Sequence, residues 1–292
     1  MLGVGLLLGV SLAVAQESAT VIGIVVDGPW EGNDAALATF RDEILGLTGS
    51  EFNVTIPQQK VRVGDWTWSG IERVVEATYA DPDVDIVLAL GTNVGAAVCT
   101  RGSLSKPTVA PFLVDSAFDD IPFAEGASGR HNLVYNSTPG TVQRDLEAFR
   151  EVVSFDTLAV LAGPAALSAK TAPGKLIDAV GAELGIAIRI VHVENSVQAA
   201  LEAIPPEVDA VYILPLLSLP PGGLQRLVEG INARRLPSFS LFGRTEVDQG
   251  VLAGIGTADY IERAARRTAL NVQSILLGKD AATLPVAFSR GT

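Results

Sequence analysis

Short runs rich in Val, Ile and Leu alternate along the chain with longer stretches in which apolar residues return every three or four positions. Parallel sheets covered by helices give this pattern, because strands buried on both faces read as continuous apolar runs. Thr20 to Val26 predicts a strand and Asn33 to Leu47 a helix, with Gly28-Pro29-Trp30-Glu31-Gly32 as the loop between them. A strand around Phe52 to Ile56, a helix from Thr67 to Tyr79 and the apolar strand Asp85 to Leu90 follow. Pro107 to Phe112 and Asn132 to Tyr135 read as shorter strands in loop-rich sequence.

A second series starts with a helix at Thr141 to Val152 and a strand at Thr157 to Leu161. Ala165 to Leu184 reads as helical with a break near Pro173-Gly174, and Ala187 to Val193 as a strand. Ser196 to Ala203, Ala210 to Leu214, Gly223 to Asn232 and Ser238 to Leu241 continue the alternation. Two such series joined near Asn136 to Gly140 predict two lobes. The last long helix, Asp259 to Leu277, gathers Ile261, Ala264, Ala265, Thr268, Ala269, Val272 and Ile275 on one face and leaves Arg263, Arg266 and Arg267 for solvent. Leu284 to Phe288 reads as a strand that needs a neighbour, so residues 281–292 are expected to be the start of a truncated lobe-spanning segment.

The first residues are patterned differently. Residues 2 to 15, LGVGLLLGVSLAVA, have the shape of a signal-peptide apolar core closing in Ala13-Val14-Ala15, without the basic n-region. The alternative is a buried N-terminal strand. A leader over residues 1–15 implies an exported, periplasmic chain, and no later apolar run is long enough to span a bilayer, so an integral membrane protein is not expected.

Composition narrows the partners. The 292 residues carry a formal charge of −12, with 48% hydrophobic and 18% charged residues. That balance argues against disorder and against a nucleic-acid partner, for which no basic block exists. Cys99 is the single cysteine. It excludes an intrachain disulfide and a cysteine-based zinc site, and reads as a small apolar residue.

Catalytic signatures are missing. His131 and His192 are the only histidines, and the chain has no G-x-S-x-G, no H-E-x-x-H, no G-x-G-x-x-G at the first turn and no Walker A Lys. His192 falls inside a strand pattern, while His131 opens the strand that leads to the lobe junction and is a weak ligand candidate. Asp119 and Asp120 lack metal-loop spacing and read as surface loop. The sequence predicts no enzyme, no cofactor and no metal site.

Polar residues recur instead where apolar runs end, the place where open α/β folds hold ligands. Asp27 and Trp30 follow the first strand, Thr92 and Asn93 the third, Asp115 the run ending at Val114, and Asn136 the run ending at Tyr135. Ser218 follows the Tyr212 strand and Arg244 the Phe239 strand, within Gly243-Arg244-Thr245-Glu246. Each carboxylate or hydroxyl has a helix cap or turn as its alternative role. Trp30 offers a stacking surface, or else packs over the first helix, whereas Trp66 and Trp68, in Asp65-Trp66-Thr67-Trp68, read as packing for the helix that Asp65 or Thr67 would cap.

Leu236 to Gly243, Val247 to Gly254 (VDQGVLAG) and Arg266 to Gly278 (RRTALNVQSILLG), closing at Leu284-Pro285-Val286, carry a recognisable pattern. With IVVDGPWEGND, DPDVDIVLALG and KPTVAPFLVD, the chain resembles the substrate-binding proteins of ABC-type importers with the periplasmic binding protein type I fold, in particular an exported subgroup associated with efflux genes. The resemblance implies a two-lobed α/β fold with parallel sheets flanked by helices. Residues 20–136 plus 257–280 would form the first lobe and 137–255 the second. It implies binding of a small solute (an amino acid, an aromatic compound or a sugar) between the lobes, and an ABC permease as partner. The alternative is an envelope ligand-sensing or interaction protein tied to an efflux system. Its pocket positions point to the loops at Asp27, Thr92, Asp115, Asn136, Ser218 and Arg244.

Overall fold

The structure is a computed structural model and describes residues 19–115, 121–164 and 173–289. The leader over 1–15, Asp119, Asp120 and the first part of the helical stretch expected from Ala165 lie outside these residues. Two parallel sheets organise the chain. In the first, β1 (Thr20–Val26) pairs on one side with β2 (Val54–Thr55) and β3 (Val61–Val63), and on the other with β4 (Ile86–Ala89), followed by β5 (Thr108–Ala110) and β6 (Leu133–Tyr135). In the second the order is β8 (Ala187–His192), β7 (Thr157–Ala162), β9 (Ala210–Ile213), β10 (Ser238–Ser240), β11 (Ala253–Gly254).

Side-chain alternation along β1 explains the layers. Ile22, Ile24 and Val26 face α1 (Asn33–Thr48) and α9 (Tyr260–Leu276), meeting Phe40, Ile44, Ala265 and Ala269. Val25 faces the other way, into the core built by α2 (Trp68–Ala80) and α3 (Thr92–Cys99) with Ile71, Val75, Val94 and Val98. The second sheet repeats the plan: Leu158, Val160 and Tyr212 face α4 (Thr141–Val152) and α5 (Pro173–Leu184). Leu161, Val211 and Ile213 face α6 (Val197–Ala203) and α7 (Gly223–Ala233).

Helix α9 returns the chain to the first sheet. Ala264, Ala265, Thr268, Ala269 and Val272 are buried as the periodicity predicts, and the small side chains let α9 lie close to α1. Its arginines are tethered rather than free: Arg266 pairs with Glu43 at 3.2 Å, and Arg263 donates to the Ser289 carbonyl at 2.7 Å. Cys99 is buried and unbonded to sulfur, in keeping with its reading as an apolar filler.

Other expectations need revision. The strand foreseen over Leu284 to Phe288 is only a pair of isolated bridges, Pro285 with Ala127 and Ala287 with Ser137, because Pro285 cannot donate to a ladder. β3 was not foreseen. Lys60 and Arg62 fasten it to Asp81, at 2.9 Å and 2.6 Å, and these two cations hold the Asp81 carboxyl well below the usual carboxylate range. β11 and α8 (Arg244–Val247) were likewise too short to leave a periodic signal. Among the described residues, no helix is long and apolar enough to cross a membrane.

Candidate functional site

Each sheet has a switch point. On either side of β1, and again of β7, the chain departs in opposite directions, which opens a crevice beyond the strand C-termini between β1 and β4 and between β7 and β9. The two crevices face each other. A neck of about 20 Å³ is lined by Asp27, Thr92 and Asn93 from the first sheet and by Gly163, Pro215 and Ser218 from the second.

Asp27 is the fixed point of this neck. Its Oδ1 accepts from the Val94 N–H at 2.7 Å, and its Oδ2 from the Asn93 N–H at 3.1 Å and Asn93 Nδ2 at 3.0 Å, so it stops the N-terminus of α3. Burial raises its pKa, opposed by the hydrogen bonds from Val94, Asn93 and Thr92. Gly91 makes room for it, since a Cβ there would lie 2.5 Å from the Asp27 carboxylate. Gly91→Ala is therefore expected to destabilise the chain by about 1–3 kcal/mol, the usual cost of overpacking, read as a lower midpoint in urea.

Beyond the neck the interlobe space widens. An open cleft of about 650 Å³ takes Trp30, Trp66 and Asp65 from the first sheet's loops and Glu194, Ser218 and Pro220 from the second's. That volume is in the range of about 300–1,000 Å³ typical of ligand pockets. Trp30 also lines a chamber of about 190 Å³, walled by Leu216, Leu219, Leu224 and Tyr260.

The tryptophans are held by backbone. After β3 the chain continues alongside β1, the Trp66 N–H donating to the Asp27 carbonyl at 3.1 Å and Trp66 Nε1 to the Pro29 carbonyl at 3.2 Å. The indole covers Gly28, where a Cβ would fall 2.5 Å from its ring. Trp66 has φ 65°, a left-handed conformation unfavourable for a bulky residue, held here by these contacts. The Trp30 ring lies against Gly32 at the start of α1, so it covers that helix and faces the cleft at once.

Glu246 lines the chamber although it is only 3% exposed. Ser240 Oγ hydrogen-bonds one carboxyl oxygen, and burial pushes the group up to about 7. No second partner satisfies the carboxyl among the described residues.

The structure thus brings Asp27, Trp30, Thr92, Asn93 and Ser218 to the interlobe space. Asp115 and Asn136 are buried but line none of these cavities, and Asn136 leaves both side-chain amide atoms without a partner. Arg244 is turned outward: its Nε meets Asp248 at 2.7 Å just past the end of α8, while Thr245 and the buried Glu246 line the chamber. His131 is paired at the surface with Asp280 at 2.8 Å, away from the bonds that occupy Asp27. Trp68 packs into the core beside α3 as expected, but Trp66 has a place in the cleft that its packing role concealed. Among the described residues, no group of three His, Cys, Asp or Glu is arranged to hold a metal ion.

No family model matches the sequence, and no curated protein does either. Solved structures do match. An ABC domain in complex with L-Trp from Streptococcus pneumonia superimposes with a TM-score of 0.71 at 16% identity, over 94% of this chain and 90% of that one. The fold is that of the type I periplasmic binding proteins. A conserved domain protein from Vibrio cholerae gives 0.70 at 19% identity, covering 94% and 90% of the two chains. A solute-binding protein of an ABC transporter from R. palustris, in complex with benzoate, gives 0.59 at 12% over 91% and 83%.

Proposed function

We propose that the chain is an exported solute-binding protein that holds a small molecule between its lobes without transforming it and presents the closed form to an ABC-type permease for uptake. The observation that carries this reading is the convergence of both switch points on one space that two tryptophans line. The lobes proposed are residues 20–136 with 257–280, and 137–255. They are joined at 136–140 and 255–259, and the Phe288 N–H donates to the Ser137 carbonyl at 2.9 Å beside the first junction. Short connections of this kind absorb a hinge rotation, and a solute that touches both lobes only when they close shifts the population toward the closed form.

In this reading Trp30 and Trp66 stack on the solute, Thr92, Asn93 and Ser218 supply hydrogen bonds, and Asp27 is a positioning residue whose lone pairs are already engaged. Asp115, Asn136 and Arg244 are left out of the contact set. The test is a thermal-shift screen of amino acids, aromatic acids and amines, sugars and purines, followed by calorimetric titration of each hit. Saturable one-to-one binding supports the reading, and silence from every class contradicts it. For a confirmed solute, Trp30→Ala and Trp66→Ala are each expected to weaken binding by about 1–3 kcal/mol. Arg244→Ala should leave the dissociation constant within about twofold, as expected for an exposed pair.

A LacI-family transcriptional regulator from Bifidobacterium animalis shares the fold, with a TM-score of 0.58 at 15% identity. A ligand-sensing role in the envelope linked to efflux is the second reading. Retention of a permease on the immobilised liganded protein supports uptake, and its failure to be retained supports sensing.

A further inference from the structure

The lining of the interlobe space carries one sign of charge. Glu31, Asp65 and Glu194 stand around the open cleft, Glu31 and Glu246 line the chamber and Asp27 underlies the neck. No Lys, Arg or His among the described residues lines any of these spaces or the small seam beside Phe112 and Tyr260. Two of the carboxylates are neutralised locally: Asp27 by the start of α3, and Asp65 by Thr67 together with Arg73 at 3.6 Å. Glu31, Glu194 and Glu246 have no cationic partner among the described residues.

Glu246 turns this pattern into a recognition site. It is a nearly inaccessible carboxyl at the wall of an apolar chamber, with one oxygen held by Ser240 and the other without a hydrogen-bond partner. A carboxylate in such a place is costly unless an opposite charge joins it. The aromatic lining adds to the preference, because indole faces attract ammonium groups, and Trp30 borders both cleft and chamber. Anions find little here. The α3 N-terminus, the natural anion site of a first-sheet crevice, is already filled by Asp27. The start of α7 at Gly222-Gly223 reaches the chamber without a side-chain cap, but two carboxylates, Glu31 and Glu246, line the same chamber and offset its partial positive charge.

We propose that the occupant is an organic cation, an amine on an aromatic or aliphatic body and without a carboxylate, with its ammonium group beside Glu246 and its apolar body against Trp30 and the Leu219-Pro220 wall. This rests on the solute-binding reading and narrows it. The experiment compares ligands of one ring and different charge by calorimetry on the full chain at low and physiological salt: tryptamine, indole, indole-3-acetate and L-tryptophan, with phenethylamine and phenylacetate as a second set.

Tryptamine is expected to bind at least tenfold more tightly than indole-3-acetate and L-tryptophan, with an affinity that falls as salt rises. Glu246→Gln should weaken tryptamine at least tenfold, and Glu31→Gln to a smaller extent, with thermal midpoints showing that both variants are folded. The proposal is overturned if a carboxylate of either set binds as tightly as its matched amine. It is equally overturned if L-tryptophan exceeds tryptamine, or if folded Glu246→Gln binds tryptamine as the parent does. Binding of anions or neutral compounds alone overturns the charge class and leaves solute binding standing. Silence from the whole panel and the broader screen removes the solute-binding reading as well.

Discussion

Replacing Asp27 with alanine is expected to lower the stability of the chain by about 1–3 kcal/mol, the cost of leaving buried backbone donors without an acceptor. The reason lies in what the carboxylate holds. It sits at the end of β1, is 4% exposed and accepts from the backbone of Asn93 and Val94, more than sixty residues away. Alanine would leave the N–H groups that start α3 without acceptors and would open space beneath Gly91. Asp27→Asn should fall between, because its single carbonyl oxygen can serve Val94 while its amide group opposes the Asn93 donors. Urea unfolding followed by far-ultraviolet circular dichroism measures both. A loss below about 1 kcal/mol for alanine would mean that α3 starts without this bond, and the neck would need another explanation.

The second large effect depends on pH. Burial pushes Glu246 from 4.5 up to about 7, so the folded chain holds this proton more tightly than the unfolded chain does. For a raised carboxyl, stability is fully present below the unfolded value, is lost as pH rises from about 4.5 to 7, and stays reduced above that range. The interval corresponds to about 3 kcal/mol. Glu246→Gln, whose amide oxygen can still accept from Ser240, removes the penalty. The variant should match the parent near pH 4.5 and exceed it by up to about 3 kcal/mol at pH 8. Other titratable groups facing the chamber are Glu31, on the loop after β1, and Tyr260, at the start of α9, while Arg244 on α8 and Asp248 just after it pair outside it. Denaturant titrations of both proteins across that range decide the matter. Parallel stability curves would show that Glu246 is hydrated and unshifted.

These two residues also show what a sequence can reveal about such a site. Apart from β3 and β11, the strands of both sheets were legible because parallel strands covered on both faces leave apolar runs, as Val21 to Val26 does. Their C-terminal ends were therefore legible too, and with them the neighbourhoods of Asp27, Thr92 and Ser218. The partners of Asp27 were hidden, because only the pairing of β1 with β4 brings the start of α3 beside it. Local spacing carries no trace of that.

The choice between neighbours was also hidden. Arg244 and Glu246 lie in one four-residue helix, and its setting against β10 decides that Glu246 faces inward to Ser240 while Arg244 meets Asp248 outside. Trp66 was read as helix packing, and its place in the cleft was hidden for a different reason. Its place in the cleft depends on a left-handed backbone at a non-glycine residue, to which β3 leads, and three residues of strand after a short 3-10 turn make no readable period. A C-terminal segment held by isolated bridges rather than by a ladder gives no strand signal that can be trusted.

The chain's own tryptophans test whether a solute sits between the lobes. Trp30 and Trp66 line the cleft, whereas Trp68, the third and last, packs in the core beside α3. In a Trp68→Phe variant all indole emission comes from the cleft. A non-fluorescent solute that stabilises the parent protein is predicted to change this emission saturably, with the dissociation constant that calorimetry gives for the same variant. A solute that binds the variant one-to-one by calorimetry while leaving its emission unchanged would be bound elsewhere, which would contradict binding between the lobes.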